Sequence, residues 1–177
     1  MIRKPKPSTN NQGGVTKVFL YKTSQFTVDV EWPVKSNIVA GKIAAMPTIA
    51  LTSAARIIFD IKEGKPKSTG STSATNYGYL HILEGKVAGY TVEKYTKVEE
   101  FEGEDIIAVV VRPNGDRIVF GQTYKPLRME ISDDFGTAGD SYVGSDIKFT
   151  QVDVVDFRPP LLDVAVVITS TAIVAYA

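Results

Sequence analysis

Polar and apolar residues alternate one by one along much of this chain. The segment 25–32 has Phe26, Val28, Val30 and Trp32 separated by Thr27, Asp29 and Glu31. A period of two sends the four apolar side chains to one face, the signature of a half-buried β-strand, and Pro33 ends it. Leu127, Met129 and Ile131 alternate with Arg128 and Glu130 in the same way. Strands are also expected over 15–21, 56–62, 77–84, 87–98 and 147–157. The β-branched run Ile106-Ile107-Ala108-Val109-Val110-Val111 is expected to be strand as well.

Turn chemistry places the strongest hairpin. Arg112-Pro113-Asn114-Gly115 separates that run from Asp116-Arg117-Ile118-Val119-Phe120. Proline second and glycine fourth suit a type I turn closing into a bulge, which sets Arg112 across from Asp116. A two-residue Asn-Gly turn would instead bring Arg112 against Arg117 and oppose like charges. Residues 38–51 contain Ala40, Ala44, Ala45 and Met46 but also Gly41 and Pro47, so one or two helical turns are the most they allow. The segments 63–76 and 132–146 read as polar loops. The apolar tail 164–177 reads as one long buried strand or two short ones, or as a segment that docks on a neighbouring subunit.

Composition agrees with this pattern. The chain has 177 residues, with 21 Val, 15 Ile and 16 Thr against 7 Leu. β-Branched side chains are stiff in helices and pack well on pleated surfaces. The expected fold is all-β, an antiparallel β-sandwich or a partly closed β-barrel with long loops and at most one short helix. Residues 1–14 are expected to be an extended N-terminal arm and 15–177 a single β domain.

Charge narrows the partners. Twenty basic and 20 acidic residues cancel, which disfavours bulk attraction to nucleic acid or anionic lipid. The charges are segregated, however. Arg3, Lys4 and Lys6 sit in an arm without acids, and Glu99, Glu100, Glu102 and Glu104 form an acidic run. The run is either solvated surface or the complement to the arm of an adjacent copy, and these seven residues are the candidate partner-binding positions. The start has no apolar run behind its charges, unlike a secretory signal. The tail falls short of the roughly 20 residues of a spanning helix.

No catalytic constellation emerges, and a non-enzyme without cofactor or metal is expected. The chain has no cysteine and one histidine, His81, which removes thiol nucleophiles and His-pair metal sites. Gly139-Asp140-Ser141 resembles serine-hydrolase nucleophile segments, but Tyr142 and Val143 follow where small glycines belong, so Ser141 is read as a turn serine. His81 shares a strand face with Tyr79 and Leu83 and is read as a packed side chain. Asp133, Asp134, Asp140 and Asp146 could offer calcium a carboxylate cluster, although EF-hand spacing is lacking. Gly85-Lys86 is followed by Val87, which has no hydroxyl for a nucleotide's magnesium. Tyr77, Tyr79, Tyr90 and Tyr95 are read as cross-strand packing residues; as a carbohydrate-binding face they give the alternative of a monomeric β-sandwich binding module.

The stretch Val109-Val110-Val111-Arg112-Pro113-Asn114-Gly115-Asp116-Arg117-Ile118-Val119-Phe120-Gly121, then Tyr124-Lys125-Pro126-Leu127 and Thr137-Ala138-Gly139, resembles a pattern in small structural proteins of tailed bacteriophages. There a glycine- and arginine-bearing hairpin is followed by a Pro-Leu strand and a Thr/Gly loop. The resemblance spans the second half of the chain; the first half is unmatched. It implies a virion protein of the tail, neck or connector ring, assembled in the host cytoplasm, with copies of itself and other virion proteins as partners.

Overall fold

The computed structural model describes residues 15, 17–26, 31–47, 55–57, 65–72, 77–88, 92–135, 143–166, 168 and 172–174. Its strands are β1 (Lys17–Lys22), β2 (Lys42–Ile43), β3 (Ala55–Ile57), β4 (Lys65–Thr72), β5 (Tyr77–Ala88), β6 (Asp105–Val111), β7 (Arg117–Phe120), β8 (Leu127–Asp134), β9 (Gly144–Gln151), β10 (Leu161–Leu162) and β11 (Ala172–Val174). One helix, α1 (Val92–Glu99), is described. The strands run in the order β11-β3-β1-β6-β8-β9-β5-β4, with β7, β10 and β2 branching from β6. The sheet curls into a half-barrel, so the fold is all-β. It is mixed rather than purely antiparallel, because β10 pairs β2 and β11 pairs β3 in parallel.

β1 and β6 lie at the centre, and both of their faces are covered. Val18, Leu20, Ile106, Ala108 and Val110 join Leu83, Phe120, Leu127, Met129, Ile147 and Phe149 inside the curl. Phe19, Tyr21, Ile107 and Val109 join Phe26, Trp32, Ile43 and Leu162 on the other side. Two covered faces are why β6 is apolar at every position instead of every second one. On the second side Phe26 stacks on Trp32 at 5.9 Å. The Trp32 backbone exchanges hydrogen bonds with Thr123.

The β6–β7 turn has the expected form. Gly115 N–H donates to the Arg112 carbonyl and Arg112 N–H to the Asp116 carbonyl, both at 2.9 Å. Gly115 takes φ +87°, a conformation open to glycine. Arg112 faces Asp116 at 3.9 Å.

Several expectations are corrected. Residues 65–72, read as loop, form β4: as the outermost strand it pairs β5 with its backbone and needs no apolar face. β5 runs unbroken through Gly85, which sits opposite Ile147. The segment read as strand 87–98 divides, its end forming α1. Val98 and Phe101, three apart, are buried, as one face of a helix demands. No helix occurs among the described residues of 38–51. Val39 and Lys42 instead close a two-residue hairpin over Ala40 (φ 50°) and Gly41 (φ 78°). β8 and β9 extend into the region read as loop 132–146. β9 stops at Gln151, so the strand expected over 147–157 ends early. Residues 27–30, at the centre of the alternating segment, lie outside the described residues. The segment enters through a 3-10 turn, Thr23–Gln25, rather than as strand. Among the described residues the tail 164–177 contributes only β11, and Val164 is exposed.

Candidate interaction surface

The outer half of the sheet, β8-β9-β5-β4, differs from its centre. Met129, Ile147, Phe149 and Leu83 face inward and are buried, while Glu84, Arg128, Glu130, Asp146 and Lys148 are exposed on the other face. The register aligns these outward residues in rows across the strands: Glu84 beside Lys148 beside Glu130, then Lys86 beside Asp146 beside Ser132. Lys86 meets Asp146 at 3.5 Å and Arg128 meets Asp105 at 3.3 Å. A trough of about 400 Å³ lies over this three-strand block. At its far end Phe135, after β8, and Val143, before β9, are exposed.

The half-barrel also leaves edges. Among the described residues β4 pairs only β5, and β11 pairs only β3. An unpaired edge is a template for another strand. Lys65, Pro66 and Lys67 occupy the first three places of β4. Lysine and proline blunt an edge, so residues 68–72 are the stretch best able to accept a strand.

A second feature is a set of buried polar groups where β9 leaves the sheet. The β5–β9 register passes from Ile82 opposite Thr150 to Tyr79 opposite Val155, so residues 152–154 bulge outward after buried Gln151. Lys125 pins the bulge through the Val154 carbonyl at 2.8 Å and Asp153 at 3.5 Å. The Lys125 carbonyl accepts from Gln122 N–H and from the Gln151 side-chain amide, both at 3.0 Å. Gln122 also donates to the Pro33 carbonyl at 2.7 Å. Sequence reading passed over both glutamines, although Gln151 is in phase with inward Ile147 and Phe149.

His81 lies on the inward face of β5, 1 % exposed, with its ring edge-on to Phe120 at 5.6 Å. Burial pulls its pKa from 6.5 down to about 4, and the Phe157 backbone acts weakly the other way. That approach falls short of a hydrogen bond of ordinary geometry, and neither ring nitrogen has a partner. His81 is therefore a packed neutral imidazole.

The sequence-predicted positions fall as follows. Arg3, Lys4 and Lys6 lie outside the described residues, as do Asp140 and Ser141. Glu99 ends α1, and Glu100 and Glu102 are exposed in the turns after it. Glu104 is already paired with Lys22 at 3.2 Å, and the Lys22 ammonium also lies over the Phe101 ring. Asp133 accepts from the Ser145 hydroxyl at 2.6 Å, on the opposite sheet face from Asp146. Among the described residues no three His, Asp or Glu converge as metal ligands, and no helix is long and apolar enough to cross a membrane. Tyr79 is half-buried under Arg158 and Tyr95 is exposed; Tyr90 and the side chain of Tyr77 lie outside the described region. No family description, curated protein or solved structure matches this chain.

Proposed function

We propose that the protein is a non-enzymatic structural component that assembles with copies of itself and with neighbouring proteins, as a tail, neck or connector-ring element of a phage virion. The observation that carries the assembly reading is the open curl. A half-barrel with a strand at each end retains the pairing capacity that closure would remove. The phage assignment rests on the hairpin and Pro-Leu resemblance in the sequence. The exposed Phe135 and Val143 add apolar side chains beside the ends of β8 and β9, of the kind buried at contacts. The basic arm and the Glu99–Glu102 turn give opposed charges for a head-to-tail contact, which closes into a ring when the rotation fits. Deleting residues 1–14 tests the arm: the native mass falls while the far-UV circular dichroism stays the same. An unchanged mass removes the arm from the assembly.

A further inference from the structure

The outward face of β5, β9 and β8 has a symmetry in its charges. Take the row Gly85–Ile147–Ile131 as an axis lying across the strands. On one side stands the row Glu84, Lys148, Glu130; on the other stands Lys86, Asp146, Ser132. A half-turn about that axis lays one row over the other. Glu84 then faces Lys86 of the second copy, Lys148 faces Asp146, and Glu130 faces Ser132. The next rows outward bring Arg128 over position 134, an aspartate, and Thr150 over Gly144. No two like charges meet.

We propose that this face is a twofold contact between two copies of the chain, β5 over β5 and β8 over β8, with the axis above the Gly85–Ile147–Ile131 row. In an isologous contact residue i meets j and j meets i, and under that exchange Glu84 and Lys86, and Lys148 and Asp146, oppose as unlike charges. Face-to-face sheets pack about 30° from aligned, an angle a half-turn about such an axis accommodates. Lys86 and Asp146 are paired with each other within one chain, but the other row is not. Glu84, Lys148 and Glu130 stand side by side, yet among the described residues none of the three is held in an ion pair. The opposed troughs leave a solvent channel on the axis, and the long side chains on their rims meet across it. Wet, charged contacts of this kind are common at specific interfaces.

The contact is separate from strand addition at the sheet edges and from the arm, so the two readings fail separately. Charge swaps read by sedimentation velocity of the full chain at low salt test it. Glu84→Lys sets two ammonium groups against each other across the axis, and Lys86→Glu sets two carboxylates against each other. Each weakens association by about tenfold or more, because like charges then face each other across the interface. The double variant Glu84→Lys/Lys86→Glu restores every opposed pair and returns to within about threefold of the original affinity. Within one chain the same double variant sets like charges beside Lys148 and Asp146. A merely intrachain ladder would therefore make the double variant the worst of the three. Asp146→Lys/Lys148→Asp repeats the cycle on the central strand and replaces the first pair if either single variant fails to fold. Singles that associate like the parent, or a double no better than the singles, overturn the proposal. Loss of assembly on deleting 1–14 without any response to the swaps keeps the arm reading and sinks this one; the converse result sinks the arm reading alone.

Discussion

The two halves of this sheet are made of similar strands put to different use. In the centre, β1 and β6 are sandwiched, so every side chain of Ile106–Val111 is buried. In the wing, β8 and β9 alternate over Leu127–Ser132 and Asp146–Gln151, with Phe149 fully buried beside exposed Lys148. The difference lies in coverage, because strand geometry is the same in both. A face covered by a second layer demands apolar residues, whereas a face left open can carry charge and is available for contacts. The doubly covered part and the part with an open, charged face are thus separate regions of one continuous sheet.

The largest effect that would break this contrast is a charge in the sandwiched centre. Val109→Asp buries a carboxylate opposite Phe19, in the apolar layer that holds Val119 and Trp32, and should cost about 4 kcal/mol. The variant is expected to show no cooperative thermal transition; a melting temperature near the parent's would mean that the second face is open.

His81 gives the next effect, on the inward side of the wing. Its folded pKa of about 4 lies below the ordinary 6.5, so the fold favours the neutral ring. Stability from this group is complete above pH 6.5 and is lost as pH falls towards 4. At about 1.4 kcal/mol per unit, the loss is up to about 3 kcal/mol. Urea unfolding at pH 7, 5.5 and 4 should show a steeper decline in the parent than in His81→Leu. Parallel declines would mean that the imidazole is solvated.

The smallest of the three effects belongs to the junction between the halves. Gly121 links β7 to β8 with φ +83°, and a Cβ there would lie 2.8 Å from the Ile106 carbonyl oxygen. Gly121→Ala should cost about 1–3 kcal/mol, visible as a lower urea midpoint with an unchanged slope. A neutral result would place the junction further from β6.

The centre and the wing differed in legibility for the same reason. Ile106–Val111 was legible as strand and Leu127, Met129 and Ile131 as a half-buried one, but the cover on both faces of the first came from elements distant in sequence. Pro113 and Gly115 fixed the hairpin register, down to Arg112 opposite Asp116. What the sequence concealed was decided by backbone pairing. β4 is polar because it is outermost, and its Ser, Thr and Gly look like loop until β5 supplies a partner. Among the described side chains of α1 only Val98 is buried, with Phe101 in the turn that follows, too short a stripe to outweigh its Val and Tyr. The interaction surface was legible as polar positions but not as a pattern. Which charges stand side by side depends on a register joining residues more than forty apart, as Glu130 and Glu84 are through Lys148.

The account rests on association, and the native mass of the full chain tests it most directly. Sedimentation velocity across a range of concentrations, at moderate salt, should give a species at a multiple of the 19.3 kDa chain mass. A single sharp boundary at the monomer mass, persisting to the highest concentration reached, would contradict it.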